Sequence, residues 1–165
     1  MERLVRAATL APSAMNTQPW AFGVIEGVER LRALSDRVKI DLLGRMGPAS
    51  SLQRYRDRLA DPAFNVFYDA PVLVVIYARP VAYDGGGACA MAAHSLMLAA
   101  ADAGLGTCWI GFAEALLDSP GLKADLGVPP SYRVVAPIIV GHPGAASTPP
   151  PHDEPEIVFW ARGER

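Results

Sequence analysis

The run Val72-Leu73-Val74-Val75-Ile76-Tyr77-Ala78 limits the fold more than any other stretch of this chain. Its apolar positions are consecutive rather than alternating and rich in β-branched residues, so it reads as a strand buried on both faces. Arg133 to Gly141 gives a second strong strand. Between and around them the period changes. Leu4, Val5, Ala8 and Leu10 are spaced for an amphipathic helix from Glu2 to Ala11, stopped by Pro12. Leu31, Leu34, Val38, Leu42 and Met46 mark a helix from Val28 to Met46, ended by Gly44 and Gly47. A short helix capped by Ser50 or Ser51 runs to about Ala60, where Asp61-Pro62 breaks it.

Gly85-Gly86-Gly87 precedes an Ala/Met-rich helix to about Ala103, apolar nearly all round, which predicts a central and fully covered element with His94 as a core histidine. Ala21 to Glu26 and Thr107 to Gly111 read as strands, the latter short and buried, and Ala113 to Leu126 as helix interrupted at Pro120. The expected class is α+β, one domain over residues 1–165 with a central mixed or antiparallel sheet flanked by helices. Residues 144–165 form an extended, Pro-rich C-terminal arm. Its apolar end, Ile157-Val158-Phe159-Trp160, has little reason to stay exposed, which points to an arm wrapping a partner subunit.

Composition narrows the function classes. With 51% hydrophobic and 19% charged residues the 165-residue chain can build a sizeable core. A net charge of -2 provides no basic surface for nucleic acid and no polybasic membrane patch. Cys89 and Cys108 lack metal-ligand spacing and read as two buried thiols, and His94, His142 and His152 form no cluster, so no metal site is expected. Only Lys39 and Lys123 among fifteen basic residues are lysines, a pattern read as coding bias. Met1 to Ala11 has no apolar signal core, and Ala88 to Ala101 is too short to span a bilayer, so a soluble cytoplasmic protein is expected.

Three ordered blocks carry a resemblance. Pro12-Ser13-Ala14-Met15-Asn16-Thr17-Gln18-Pro19-Trp20 lies between the first helix and the first strand, Gly104-Leu105-Gly106-Thr107-Cys108-Trp109-Ile110-Gly111 joins a helix to a strand, and Leu126-Gly127-Val128-Pro129-Pro130 precedes Val140-Gly141-His142-Pro143. Helix capping accounts for Gly104 and Gly106 but not for Gly111. The blocks resemble the PSxxNxQPW, GLGTCWIG and LGIP…VVGYP segments of the nitroreductase family, over Leu4 to about Trp160. That resemblance implies a homodimeric FMN-dependent oxidoreductase passing reducing equivalents from NADH or NADPH to a small electrophile such as a nitroaromatic, quinone or enone. It implies no catalytic triad, since the cofactor carries the hydride. It also implies a flavin site built from both subunits, with Ser13, Asn16 and Gln18 making polar contacts, Ile110 and Gly111 meeting the ring by backbone, and His152 as the tail's residual phosphate donor.

Two departures bear on the phosphate. The family's upstream Arg-x-Ser-x-Arg segment has no counterpart here, Arg3 and Arg6 having neither its spacing nor its Ser. The family's tail reads PPPRK, against Pro149-Pro150-Pro151-His152-Asp153-Glu154. A phosphate dianion needs charge-assisted donors, so weak FMN binding and little discrimination from riboflavin are expected. The alternative is a flavin-poor, non-redox relative holding another small ligand or partner in the same cleft. Other candidates read more simply: Asp84 with the glycines as a capped loop, and Arg54, Arg56 and Arg58 as a solvated helix face; Asn65, ahead of the Val72 strand, is within reach of a flavin's pyrimidine edge, and nothing in the sequence decides its role.

Overall fold

The computed structural model describes residues 1–82, 85–144 and 150–161. Strands β1 (Trp20–Glu26), β2 (Val72–Ala78), β3 (Gly106–Trp109) and β4 (Arg133–Gly141) form one sheet in the order β1-β2-β4-β3, every neighbouring pair antiparallel. The helices are α1 (Glu2–Ala8), α2 (Val28–Arg45), α3 (Arg56–Ala60), α4 (Gly86–Asp102), α5 (Glu114–Leu117) and α6 (Pro120–Asp125). The architecture is α+β, and its sheet is antiparallel throughout.

The two continuous apolar runs are the two central strands, for a simple reason. Successive side chains on a strand point to opposite faces. Val74, Ile76, Ala136, Ile138 and Val140 pack against Leu4, Ala8, Ala92, Ala93 and Leu96 of α1 and α4. Leu73, Val75, Tyr77, Val134 and Ile139 pack on the other side against Leu31, Leu34, Val38, Phe67 and Leu117. Both faces are covered, so both sets of positions must be apolar.

Four expectations need correction. The first helix ends at Ala8, with Thr9 as its C-cap and single turns closed by the Leu10 and Ala11 N–H groups beyond it, rather than running on to Ala11. The second helix ends at Arg45, one residue short of Met46, with Gly44 in its last turn. The strand after Gly104 is not buried: β3 is an edge strand, Cys108 is an exposed free thiol and Trp109 is 37% exposed, whereas Cys89 is buried as expected. Finally, α4 is covered on one side only. Ala88, Cys89, Ala92, Ala93, Leu96 and Ala100 are buried against the sheet and α1, while Met91, His94 and Leu98 form an exposed stripe at helical spacing, so His94 is not a core residue. Apolar composition records what the helix can bury, and among the described residues Met91, His94 and Leu98 are left exposed.

Among the described residues no helix is long and apolar enough to cross a membrane. Tyr77 illustrates how the core sets a protonation state. It is 3% exposed, and burial, with a smaller contribution from the Asp118 carboxylate, pushes its phenol up from 10.0 to about 12. The raised folded value favours the neutral phenol, so this contribution is complete below pH 10 and is lost as pH climbs through 12. A loss of about 2 kcal/mol is expected between pH 9 and pH 12, read as a falling urea midpoint, and Tyr77→Phe removes the pH dependence. An unchanged midpoint for the wild-type chain would show that the ring is not desolvated.

Candidate functional site

Two surfaces gather the residues singled out by sequence. The first is the loop from Pro12 to Pro19. Its backbone turns tightly, with Met15, Asn16 and Gln18 at φ values of 50°, 55° and 46°. Such left-handed conformations are uncommon without glycine and persist where surrounding contacts hold them. The Ser13 carbonyl accepts from the Asn16 N–H, the Ser13 hydroxyl accepts from the Gln18 N–H at 3.0 Å, and the Ala14 carbonyl accepts from the Thr17 N–H. From the end of β2, the Arg79 N–H donates to the Pro19 carbonyl and its guanidinium to the Gln18 carbonyl.

Pro19 also packs on Gly85, at the start of α4, where an added Cβ would lie 2.9 Å from the Pro19 Cβ. The loop is therefore tied to both β2 and α4. The N–H groups of Asn16, Thr17 and Gln18 are spent within it, and the side chains it offers outward are the exposed amides of Asn16 and Gln18, joined by a 3.2 Å hydrogen bond, and the Met15 thioether. Ser13 keeps its O–H to donate.

The second surface is an apolar cavity of about 420 Å³ beside the end of β3, walled by Leu42, Leu52, Tyr68, Trp109, Gly111 and Phe112 among others. The Ile110 N–H is spent on the Pro137 carbonyl at 2.8 Å, so Ile110 contributes its place in the wall. Gly111 differs. It begins a helical turn, where an N–H precedes any intrahelical acceptor. Nothing in the chain requires glycine there: its φ is not positive, and the nearest atom to an added Cβ would be Glu114 Oε1 at 3.9 Å. By contrast Gly104 has φ +72° and Gly106 packs on Pro143. Gly111 thus leaves open a backbone surface that faces the cavity.

Within one chain these surfaces do not meet. Trp109 is level, through Ile138 and Val74, with Val24 rather than with Trp20, and β1 and β3 are the opposite edges of the sheet, about 14 Å apart at the usual strand spacing. His152 lies in the extended stretch 150–161, exposed and distant in sequence from either surface.

The remaining candidates resolve into structural roles. The Asn65 carboxamide accepts from the Phe67 N–H and donates to Asp69, closing a turn. Arg54 stacks on Tyr55, and Arg58 on Phe64 and Tyr68. Arg6 opens with Arg30 onto a groove at the Glu26 end of β1, and Arg3 onto another beside Ala99 and Asp102; neither borders the loop or the cavity. Asp84 lies outside the described residues. Arg79, which sequence reasoning passed over, is the guanidinium found on the loop. Its only sequence signal is a charge directly after a buried strand.

Comparison with known proteins agrees with this geometry. A protein of Archaeoglobus fulgidus named "Putative NADH dehydrogenase/NAD(P)H nitroreductase" is 31% identical over 144 residues, covering 87% of this chain and 72% of that protein. The 5,6-dimethylbenzimidazole synthase of Rhodospirillum rubrum is 29% identical over 154 residues, 86% of this chain and 70% of its own. The crystal structure of a nitroreductase with bound FMN from Bacteroides fragilis matches with a TM-score of 0.80 at 26% identity, over 97% of this chain and 86% of that one. The model describing the Nitroreductase family matches residues 1–142, and this chain belongs to that family.

Proposed function

We propose that this protein is a homodimeric, FMN-dependent oxidoreductase that passes reducing equivalents from NADH or NADPH to a small electrophile such as a nitroaromatic, quinone or enone. The carrying observation is Gly111, a glycine with no conformational or packing reason of its own, whose open backbone forms part of an apolar wall. A flat ring needs such a surface: close main-chain approach, one N–H and apolar cover. The Bacteroides fragilis relative holds FMN. The named relatives include a nitroreductase and a dimethylbenzimidazole synthase, so family membership leaves the acceptor open, and the small electrophile rests on the cavity.

The residues fit the ring better than the phosphate. Asn16 and Gln18 supply amides, Ser13 one hydroxyl and Arg79 a guanidinium already bonded to the Gln18 carbonyl. When bound, FMN supplies two-electron chemistry between a nicotinamide and the acceptor. The chain's part is to seat the ring at Gly111, keep water off it with the cavity wall, and orient its polar edge with the loop amides. Because the two surfaces sit on opposite sheet edges, a site using both needs two chains. The exposed stripe Met91, His94 and Leu98 and the exposed Ile157, Val158 and Phe159 favour the same conclusion, since each lacks cover in the single chain.

Titrating the purified chain with FMN and riboflavin at pH 6 and pH 8 tests this reading. Both flavins are expected to bind at either pH, with an FMN preference below about tenfold, because the phosphate has few charge-assisted donors to reward it. Failure of both to bind would leave a non-redox relative using the cleft for another ligand. Tight FMN binding with rejection of riboflavin would mean that some other cation anchors the phosphate.

A further inference from the structure

One aromatic residue of the cavity wall is hydrogen-bonded to a carboxylate just outside it. The Trp109 indole Nε1–H donates to Glu114 Oε1 at 2.8 Å. The same oxygen is the nearest atom to the space over Gly111, 3.9 Å from where a Cβ would stand. Trp109, Ile110, Gly111 and Phe112 all line the cavity, so the carboxylate bridges two ends of a single wall segment.

We propose that Glu114 is a positioning residue of the cleft: by accepting the Trp109 indole N–H across the Gly111 turn, it fixes that ring as a rigid wall and sets the width of the space beside Gly111. The proposal rests on reading this cavity as the ligand site.

Trp109 needs such a latch because of its position. It is the last residue of an edge strand, with no strand beyond β3 to pack it, and 37% of its surface is exposed. A large ring at such a site has rotamer freedom unless a partner removes it. The other aromatic wall residue, Phe112, is held differently, edge-on against Tyr55 at 5.3 Å between ring centres. Glu114 is half-buried at the first position of α5, directly after the Gly111–Ala113 turn. Its carboxylate could have capped the turn's free N–H groups, as acids do at such places, yet it reaches to the indole. A charged acceptor makes the stronger hydrogen bond. A glutamine carbonyl in the same place accepts the same proton without the charge.

The test compares wild type with Glu114→Ala and Glu114→Gln in the full chain. Three readouts are taken: hydrogen exchange of the Trp109 indole proton, assigned by Trp109→Phe; riboflavin affinity; and affinity for 1-naphthol, a flat uncharged probe requiring no cofactor site. The expected results are at least tenfold faster indole exchange in Glu114→Ala, a five- to thirtyfold loss of riboflavin and 1-naphthol affinity, and recovery of most of both in Glu114→Gln. Equal exchange in wild type and Glu114→Ala overturns the latch. Faster exchange with unchanged affinities overturns its role in the cleft and leaves a surface contact. A Glu114→Gln variant that behaves like Glu114→Ala overturns the hydrogen-bond account in favour of charge. If wild type binds 1-naphthol but no flavin, the flavin reading fails while the latch is still decided by exchange and 1-naphthol. If it binds neither, both fail.

Discussion

Removal of residues 150–165 is expected to raise the dissociation constant of the proposed homodimer by about two to four powers of ten. The segment carries Ile157, Val158, Phe159 and Trp160, which are 60%, 84%, 80% and 70% exposed in the single chain. Burying Phe159 and Trp160 against a second subunit is worth about 1.5–3 kcal/mol each, and each 1.4 kcal/mol is about tenfold in affinity. Sedimentation across nanomolar to micromolar concentrations reads the effect directly. The same truncation is expected to leave the melting temperature of the monomer nearly unchanged, because the two core clusters contain no residue beyond Val140. Flavin binding is expected to fall with dimerisation, since the loop and the cavity would come from different chains. A truncated protein that dimerises as tightly as the full chain would shift the interface to Met91, His94 and Leu98 of α4 and end the tail-wrapping proposal.

The second large effect is on folding. Lys123→Met is expected to destabilise the chain by about 3 kcal/mol, lowering the melting temperature by roughly 6–12 °C. Lys123 is only 7% exposed. Its ammonium donates to Asp118 Oδ1 at 3.2 Å and to the carbonyls of Pro130 and Tyr132 at 3.1 and 3.0 Å. It thereby holds the segment after α6 against the start of β4. Removing it strands those acceptors and the Asp118 carboxylate, which also accepts from the Val134 N–H. Lys123→Arg is expected to be destabilising as well, because a planar fork cannot meet three oxygens that converge on one nitrogen. A melting temperature within about 2 °C of wild type for Lys123→Met would show that water replaces the ammonium.

Lys39 plays the same part elsewhere. It too is 7% exposed, and it donates to the Asp61 and Phe64 carbonyls while pairing with Asp36. Each of the two lysines in this arginine-rich sequence thus uses an ammonium's compact geometry to meet several oxygens in a buried place.

Much of the molecule was legible in the sequence, because side-chain period records how many faces of an element are covered. The unbroken runs 72–78 and 133–141 identified the two central strands, and the spacing of Leu31, Leu34, Val38 and Leu42 identified the buried side of α2. Gly111 could be marked as unexplained by capping before its surroundings were known. The turn residues likewise announced where the loop between α1 and β1 lies. What the sequence left undecided depends on neighbours far along the chain. Edge or centre is a matter of which strands pair, so β3 read as buried until its place beside β4 alone was seen. Apolar character all round α4 says that surface can be buried, not that this chain buries it. The same holds at the site: the side chains of Ser13 and Asn16 were visible as polar groups, but that Ser13 accepts from the Gln18 N–H, that Arg79 grips the loop and that Glu114 holds Trp109 follow from contacts across the fold. Local pattern determines what each element can hide; only tertiary packing decides what is hidden, and by which residue.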